Sequence, residues 1–249
     1  MGKEMDKDNL LSIAVLGVVV IAVILAAGQF VGDDVKSVIS VSGTAAVSVM
    51  PDKADIFVKI ETLEATAADA QQKNAAITNN VIAALEKAGV KEDDIETSSY
   101  RLYPKQKWDK DTETYVTLGY EVRHILKVET LKVKEVGDLV DIAVGAGANG
   151  VDRVSFSLTK ELHKEVTGQA LDNASLDAQN KAESVSESLD VKLGKICRIS
   201  ESNFFYEPYD YYPRDAEMKE MTVQVSEATS ISPGEVEVKA NIAVEYELR

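Results

Sequence analysis

Four alanines at four-residue spacing, Ala170, Ala174, Ala178 and Ala182, lie in a helical run from Lys160 to Gly194 and place the strongest constraint on the fold. Residues four apart stack on one helix face, so the alanines form a narrow stripe, preceded by Leu162 and Val166 and continued by Val185 and Leu189. Small side chains let a neighbouring backbone approach closely, while Asp172, Asp177, Lys181, Glu183 and Glu187 keep the rest of the circumference wet. The expectation is a core helix lying on a sheet. A cofactor or membrane helix is disfavoured because the polar face is continuous. Leu193-Gly194 is expected to stop the helix and turn the chain into a strand from Lys195 to Ile199.

A second constraint is LLSIAVLGVVVIAVILAAG, Leu10 to Gly28, about 19 uncharged residues and long enough to cross a hydrocarbon core as a helix. It has no polar face, as a soluble core helix would. The apolar run exceeds the usual signal-peptide core and the leader MGKEMDKDN is not clearly basic, so an uncleaved single-pass anchor is favoured. Cleavage after Ala26-Ala27-Gly28 is the alternative. Residues 1–9 are placed in the cytoplasm and the C-terminal domain outside it, at the cell membrane.

The chain has 249 residues, 45% of them hydrophobic, enough to bury a real core. Its formal net charge of −15 argues against nucleic acid as a partner, because phosphate binding needs clustered Lys and Arg. With Cys197 as the single cysteine, no intrachain disulfide forms and a thiolate metal site is excluded. Flanked by Ile196 and Ile199 in an expected strand, it is read as buried and inert.

Val35 to Val49 and Ala54 to Leu63 alternate apolar and polar residues, and with Pro51-Asp52 between them they read as a hairpin. Thr66, with Asp69 three residues on, caps a helix whose apolar positions are Ala70, Ile77, Val81, Leu85 and Ala88, stopped by Gly89. After the acidic loop Lys91 to Asp94, a strand from Ile95 leads to a charged tip, Lys105 to Thr114, that holds Trp108. Interleaved acids favour a solvated turn there over a binding loop. Tyr115 to Val128 returns as a strand, and Val133 to Val144 is a helix. Gly145-Ala146-Gly147-Ala148-Asn149-Gly150 lies between that helix and the strand Val151 to Leu158. A dinucleotide site needs the order strand, glycines, helix, so these glycines are read as a C-cap and tight turn.

Asn203 to Pro213 carries Phe204, Phe205, Tyr206, Tyr209, Tyr211 and Tyr212. Its prolines forbid a regular central strand, so the stretch through Ser232 reads as a long loop. Two readings stand open: a projecting tyrosine cluster that captures a protein partner, or a loop folded over its own sheet. Pro233-Gly234 precedes a last alternating strand, Glu235 to Leu248.

No catalytic constellation emerges. His124 lies in a strand and His163 opens the long helix, neither within a motif. His163-Lys164-Glu165 lacks the second histidine of a zinc helix. Carboxylates such as Glu92-Asp93-Asp94, Asp109 and Asp111 read as solvated surface. No cofactor or metal is expected.

Several motifs in order resemble the SIMPL domain family over about Val35 to Arg249. They are Val41-Ser42-Gly43, Pro51-Asp52, Gly89 with Ile95-Glu96-Thr97, Gly119-Tyr120, Gly145-Ala146 before Phe156, Lys181-Ala182, Leu193-Gly194 and Pro233-Gly234. The resemblance implies an α+β fold with mixed, largely antiparallel sheets, helices packed on one face, and two interlocked βαβ-like subdomains. It also implies homo-oligomers in rings or hollow assemblies, and links to envelope or oxidative stress tolerance. It brings no catalytic residues. With the anchor, the expectation is a tethered, extracytoplasmic, non-enzymatic oligomer acting through its surfaces. The alternative is an adaptor or ligand-binding module using the tyrosine-rich loop.

Overall fold

A computed structural model describes residues 37–201, 205–212, 229 and 231–249. The apolar segment 10–28, its alternative cleavage site and the leader 1–9 lie outside the described residues. No helix among the described residues is long and apolar enough to cross a membrane.

In chain order the elements are β1 (Val38–Val49), β2 (Lys53–Glu64), α1 (Ala67–Lys87), β3 (Ile95–Asp109), β4 (Thr114–Thr130), α2 (Val136–Gly145), β5 (Gly150–Ser157) and α3 (Lys160–Ser188). After these come β6 (Leu193–Glu201), β7 (Phe205–Tyr206), β8 (Tyr209–Tyr211) and β9 (Val236–Leu248). They build an α+β fold with two sheets. One has the order β3-β4-β2-β5-β8, and the other the order β1-β9-β6, with β7 also paired to β9. All strand pairs among the described residues are antiparallel.

The first sheet packs one face against α1 and α2. Ile56, Val58 and Ile60 of β2, Leu126 and Val128 of β4, and Phe156 of β5 form its core with Val81 and Leu85 of α1. Helix α1 begins as its sequence indicates, with the Asp69 N–H donating to Thr66 Oγ1 at 3.1 Å. It ends at Gly89, whose φ of +95° suits a residue without Cβ, while Val90 N–H returns to Leu85 O at 3.1 Å. The glycine-rich segment after α2 is a tight turn, with Gly147 at φ +112°. Asn149 holds it to β2, accepting from the Glu61 N–H and donating its own N–H to Lys59 O.

The second sheet carries α3. Its four alanines are fully buried against β1 and β9, as the stripe implied. The approach is very close: a Cβ built on Gly43 of β1 would stand 1.9 Å from Ala174 O and 2.5 Å from Ala178 N. The helix stops sooner than expected, at Ser188, with Leu189 as its cap. Asp190 takes φ +53° and Val191 N–H bonds Ser186 O at 3.0 Å, a left-handed closure that aspartate tolerates better than most residues. Gly194 instead lies in β6, where a Cβ would meet Glu247 O at 2.7 Å.

Two further expectations are corrected. The strands β1 and β2 are not a hairpin: β1 pairs with β9 along its whole length, and β2 pairs with β4 and β5. Alternation marks a strand without choosing its partner, and at Pro51-Asp52 the chain passes from one sheet to the other rather than folding back. Asp52 accepts from Thr159 N–H at 2.7 Å and from Thr159 Oγ1 at 2.6 Å, which fixes it to the start of α3. Cys197 is exposed, not buried. Helix α3 covers β1 and β9 but leaves β6, at the sheet margin, largely open.

The other margin is β1. Its outward backbone at mid-strand is engaged by α3: Thr44 N–H donates to Asp177 Oδ2 at 2.8 Å, and Lys181 Nζ donates to Ser42 O at 3.1 Å and to Asp177 at 2.6 Å. An uncharged edge strand is a template for further pairing, and this pair occludes it. Replacing both Asp177 and Lys181 by alanine should leave the unfolding midpoint nearly unchanged and speed aggregation, read by light scattering of the native protein. Equal scattering would refute the guard role.

Candidate functional site

The aromatic segment is built into both sheets. β7 pairs Phe205 with Lys239 and Tyr206 with Val238 of β9, while β8 pairs Tyr209 with Phe156 and Tyr211 with Val154 of β5. Pro208 separates the two short strands. Proline excludes a long central strand, but strands of two and three residues at sheet margins escape that limit. The segment therefore straps one sheet to the other.

Tyr206 is the inner anchor of the strap. Its hydroxyl accepts from Leu158 N–H at 2.8 Å, and its ring meets His163 edge-on at 5.1 Å. Burial pushes the Tyr206 phenol above its ordinary range. With Asp52 on Thr159, this joins the points where the chain crosses between sheets. The Tyr209 ring lies 6.2 Å from that of Phe156, tilted by 34°. Phe205, Tyr211 and Tyr212 expose much of their rings, Tyr212 most of all at 61%. Phe205 borders a shallow depression of about 410 Å³ with Thr44, Ala46, Lys239 and Asn241. Phe204 lies outside the described residues, as do 213–228.

The two histidines are far apart in role. His163 supports Tyr206. His124 is 8% exposed beneath α1, its Nε2 2.9 Å from Thr97 Oγ1 and its Nδ1 3.2 Å from Thr78 Oγ1, with the Tyr100 ring edge-on at 5.2 Å. The polar row continues through Asn74, which bonds Ile60 O, and Thr62, which bonds Ala70 O. Burial holds the His124 pKa below its ordinary value of about 6.5.

A lowered folded-state pKa means that the unfolded chain takes up the proton first. The His124 contribution is therefore complete above about pH 6.5 and is lost as pH falls below that toward the folded-state pKa. Unfolding by denaturant at pH 7.5 and pH 5.5 should show this loss, and His124→Gln should flatten it. An equal slope in the variant would remove His124 as its source.

The face of the five-stranded sheet opposite the helices is charged. Arg123 pairs with Glu61, Lys127 with Glu96 at 3.0 Å, and Lys53 with Glu129 at 2.7 Å, while the Arg153 guanidinium lies 3.8 Å from the Phe57 ring centroid. Among these ions Asp55 is pushed above the usual carboxylate range, first by burial, against the pull of Lys127 and Lys53. Tyr103 and Lys105 both donate to Glu121, which these bonds hold below its ordinary pKa, Lys105 foremost. Apart from Asp55, whose buried Oδ1 has no hydrogen-bond partner and stands 3.9 Å from both Lys53 and Lys127, these groups are paired. No group of three His, Cys, Asp or Glu among the described residues is placed to hold a metal ion.

Sequence reasoning understated the hairpin beyond Glu121. Its pairing runs on to Asp109 opposite Thr114, so the tip is a turn of residues 110–113 rather than the whole of Lys105 to Thr114. Asp109 closes that turn, accepting from Asp111 N–H at 2.9 Å and Thr112 Oγ1 at 3.0 Å. Trp108 packs edge-on against Tyr115, 5.0 Å between centroids. In the structure β4 spans 17 residues against 12 in β2, so the hairpin extends past its neighbour.

A family model described as SIMPL, protein of unknown function (DUF541), matches residues 39–246. The 26 kDa periplasmic immunogenic protein of Brucella melitensis is 28% identical over 168 residues, covering 66% of each chain. The uncharacterized protein YggE of Edwardsiella ictaluri is 26% identical, covering 67% of this chain and 70% of its own length. YggE of Escherichia coli K12 is 25% identical, covering 67% and 66%. The match thus spans just under two thirds of the Brucella and Escherichia proteins, and none of these names states an enzymatic activity. A match over nearly the entire described fold, by a model of unknown function, means that this chain belongs to the SIMPL family.

Proposed function

We propose that this protein is a membrane-tethered, extracytoplasmic, non-enzymatic SIMPL protein that assembles with copies of itself and acts through its surfaces in envelope maintenance or stress response. The observation that carries this reading is the uncharged run Leu10 to Gly28 directly ahead of a domain whose relatives include proteins named periplasmic. The two helix-backed sheets, tied at Asp52 and Tyr206, fit the pair of interlocked subdomains that the family resemblance implies. Both histidines also have structural partners, which supports a role without acid–base chemistry.

Membrane fractions washed with alkaline carbonate should retain the protein, and a variant lacking 1–31 should be released. An N-terminal sequence beginning after Gly28 would overturn the tether. Mass measurement of the detergent-extracted protein should give an oligomer, and a monomer at micromolar concentration would overturn self-assembly.

The second reading is an adaptor that captures a protein through Phe205, Tyr209, Tyr211 and Tyr212, favoured by their exposed rings. Deleting the whole segment would also remove Tyr206 and the strap, so Phe205→Ala with Tyr212→Ala is the cleaner test. Loss of a co-purifying partner with unchanged mass would support the adaptor, and loss of assembly would make the segment an interface between copies.

A further inference from the structure

On the charged face of the five-stranded sheet, Glu61 stands opposite Arg123 and Glu96 opposite Lys127, as complementary cross-strand pairs do. Arg101 opposite Arg123 is a like-charged pair, but both are exposed, where water screens them. Asp55 departs from the pattern at a buried position. It stands directly opposite Glu129 on β4, and like charges so placed repel. Its side chain keeps only 17% of its surface, its Oδ1 has no hydrogen-bond partner, and the two nearest ammoniums are each 3.9 Å from that oxygen.

Both lysines are held by other carboxylates, Lys53 by Glu129 at 2.7 Å and Lys127 by Glu96 at 3.0 Å. Three carboxylates therefore share two ammoniums, which leaves one negative charge in excess. The far side supplies no free cation. Strand β5 presents Ser155 opposite Asp55 and Ser157 opposite Lys53, β8 places Asp210 opposite Ser155, and Arg153 lies over the Phe57 ring. Helices α1 and α2 pack on the opposite face of the sheet, where Ala54 and Ile56 point. A buried carboxylate oxygen without a donor is costly, whereas a protonated carboxyl can donate to a neighbour.

We propose that Asp55 is a proton-operated clasp: ionised and unpaired at neutral pH, it takes a proton from water in acid and donates it in a hydrogen bond to Glu129, joining β2 to β4. One proton is bound, no covalent bond of the protein changes, and the cluster becomes neutral. Directly opposed residues have Cβ atoms about 4.5–5.5 Å apart, so side-chain rotation alone brings the Asp55 hydroxyl to one Glu129 oxygen while Lys53 keeps the other. Burial foremost sets Asp55 above the usual carboxylate range; Lys127 and Lys53 oppose it, and Glu129 and Glu96 add to it. The folded state thus binds this proton before the unfolded chain does. The stability it contributes is complete below the ordinary value of 3.8 and is lost as pH rises through the folded-state pKa. His124, on the helix face of β4, has the opposite sign and loses its contribution below about pH 6.5. One sheet therefore carries one buried group that fails in acid and one that engages, and β2 and β4 stay paired further into acid than His124 alone would permit.

The test uses the full chain in detergent with Asp55→Asn, which holds a neutral, donating side chain at every pH. Its urea midpoint should lie above that of the wild type at pH 7.5, and the gap should narrow as pH falls toward 4.5. If ionised Asp55 serves instead as a salt-bridge partner of the lysines, the midpoint at pH 7.5 falls, and that result would overturn the clasp. So would a gap that does not change with pH. The wild type gives an independent readout. The carbon-13 carboxyl resonance of Asp55 in the labelled chain should titrate above the ordinary aspartate range, and Glu129→Gln should move that titration to lower pH by removing the opposed charge and releasing Lys53. A titration in the ordinary range, or one that Glu129→Gln leaves in place, would overturn the proposal even where Asp55→Asn folds poorly. Calcium is the competing occupant of an opposed carboxylate pair. Stabilisation of the wild type by millimolar calcium at pH 7.5, lost in Asp55→Asn, would overturn the proton in favour of a cation.

Discussion

Gly43→Ala should cost the protein at least about 3 kcal/mol, at the upper end for overpacking a core. The added methyl would sit 1.9 Å from Ala174 O and 2.5 Å from Ala178 N, both backbone atoms of a helix. No rotamer change relieves such a clash. Either α3 lifts off the sheet, exposing the alanine stripe and the apolar faces of β1 and β9, or β1 gives way. Against a typical domain stability of about 5–15 kcal/mol, that is a large fraction. Gly168→Ala is the control within the same element. A Cβ there meets nothing within 4 Å, and removing a helix-interior glycine should stabilise by about 0.5–1 kcal/mol. Urea unfolding midpoints should therefore move in opposite directions. Because each sheet has its own core cluster, hydrogen exchange in Gly43→Ala should rise first along β1 and β9 while amides near Ile60 and Leu126 stay protected. An unfolding free energy within about 1 kcal/mol of wild type would mean that helix and strand are not in this contact.

The alanine stripe, the Thr66 cap, the Gly89 stop and the turn through Gly147 were all legible in the sequence because each is local. The residues that make the feature lie within a few positions of one another, and backbone geometry dictates their spacing. What escaped was pairing at long range. Nothing in Val38–Val49 says that its partner is the last strand rather than the next one, since alternation is satisfied by either. Exposure of Cys197 depends on how far α3 reaches across a sheet, which the apolar neighbours Ile196 and Ile199 could not reveal. The aromatic segment shows the same limit. Its prolines correctly excluded a long strand, but not two short ones that finish opposite sheets, so Tyr206 emerges as an anchor while Tyr212 keeps its surface. Of the candidate site, composition was readable and placement was not.

Phe156→Ala should cost about 3–5 kcal/mol, as expected for removing a fully buried ring from a packed core. Phe156 of β5 stands opposite Ala54 on β2 and Tyr209 on β8, one strand in from the β8 edge of the five-stranded sheet. The cavity opens beside the strap, because the Tyr209 ring leans on Phe156 and lies about 3.5 Å from where a Gly234 side chain would begin. The loss should therefore be felt in two ways that can be separated. Global stability falls, read by denaturant unfolding, and amides of Tyr209–Tyr211 exchange faster even under conditions where the domain stays folded, since β8 is a short margin strand held by few bonds. Tyr209→Ala should reproduce the second effect with only a small part of the first, because its ring is already 41% exposed. If the two variants cost the same, Phe156 does not carry the core. If Phe156→Ala destabilises the domain while exchange along β8 is unchanged, the strap is held by Tyr206 and Leu158 alone, and the surface formed by Tyr211 and Tyr212 is independent of the core beneath it.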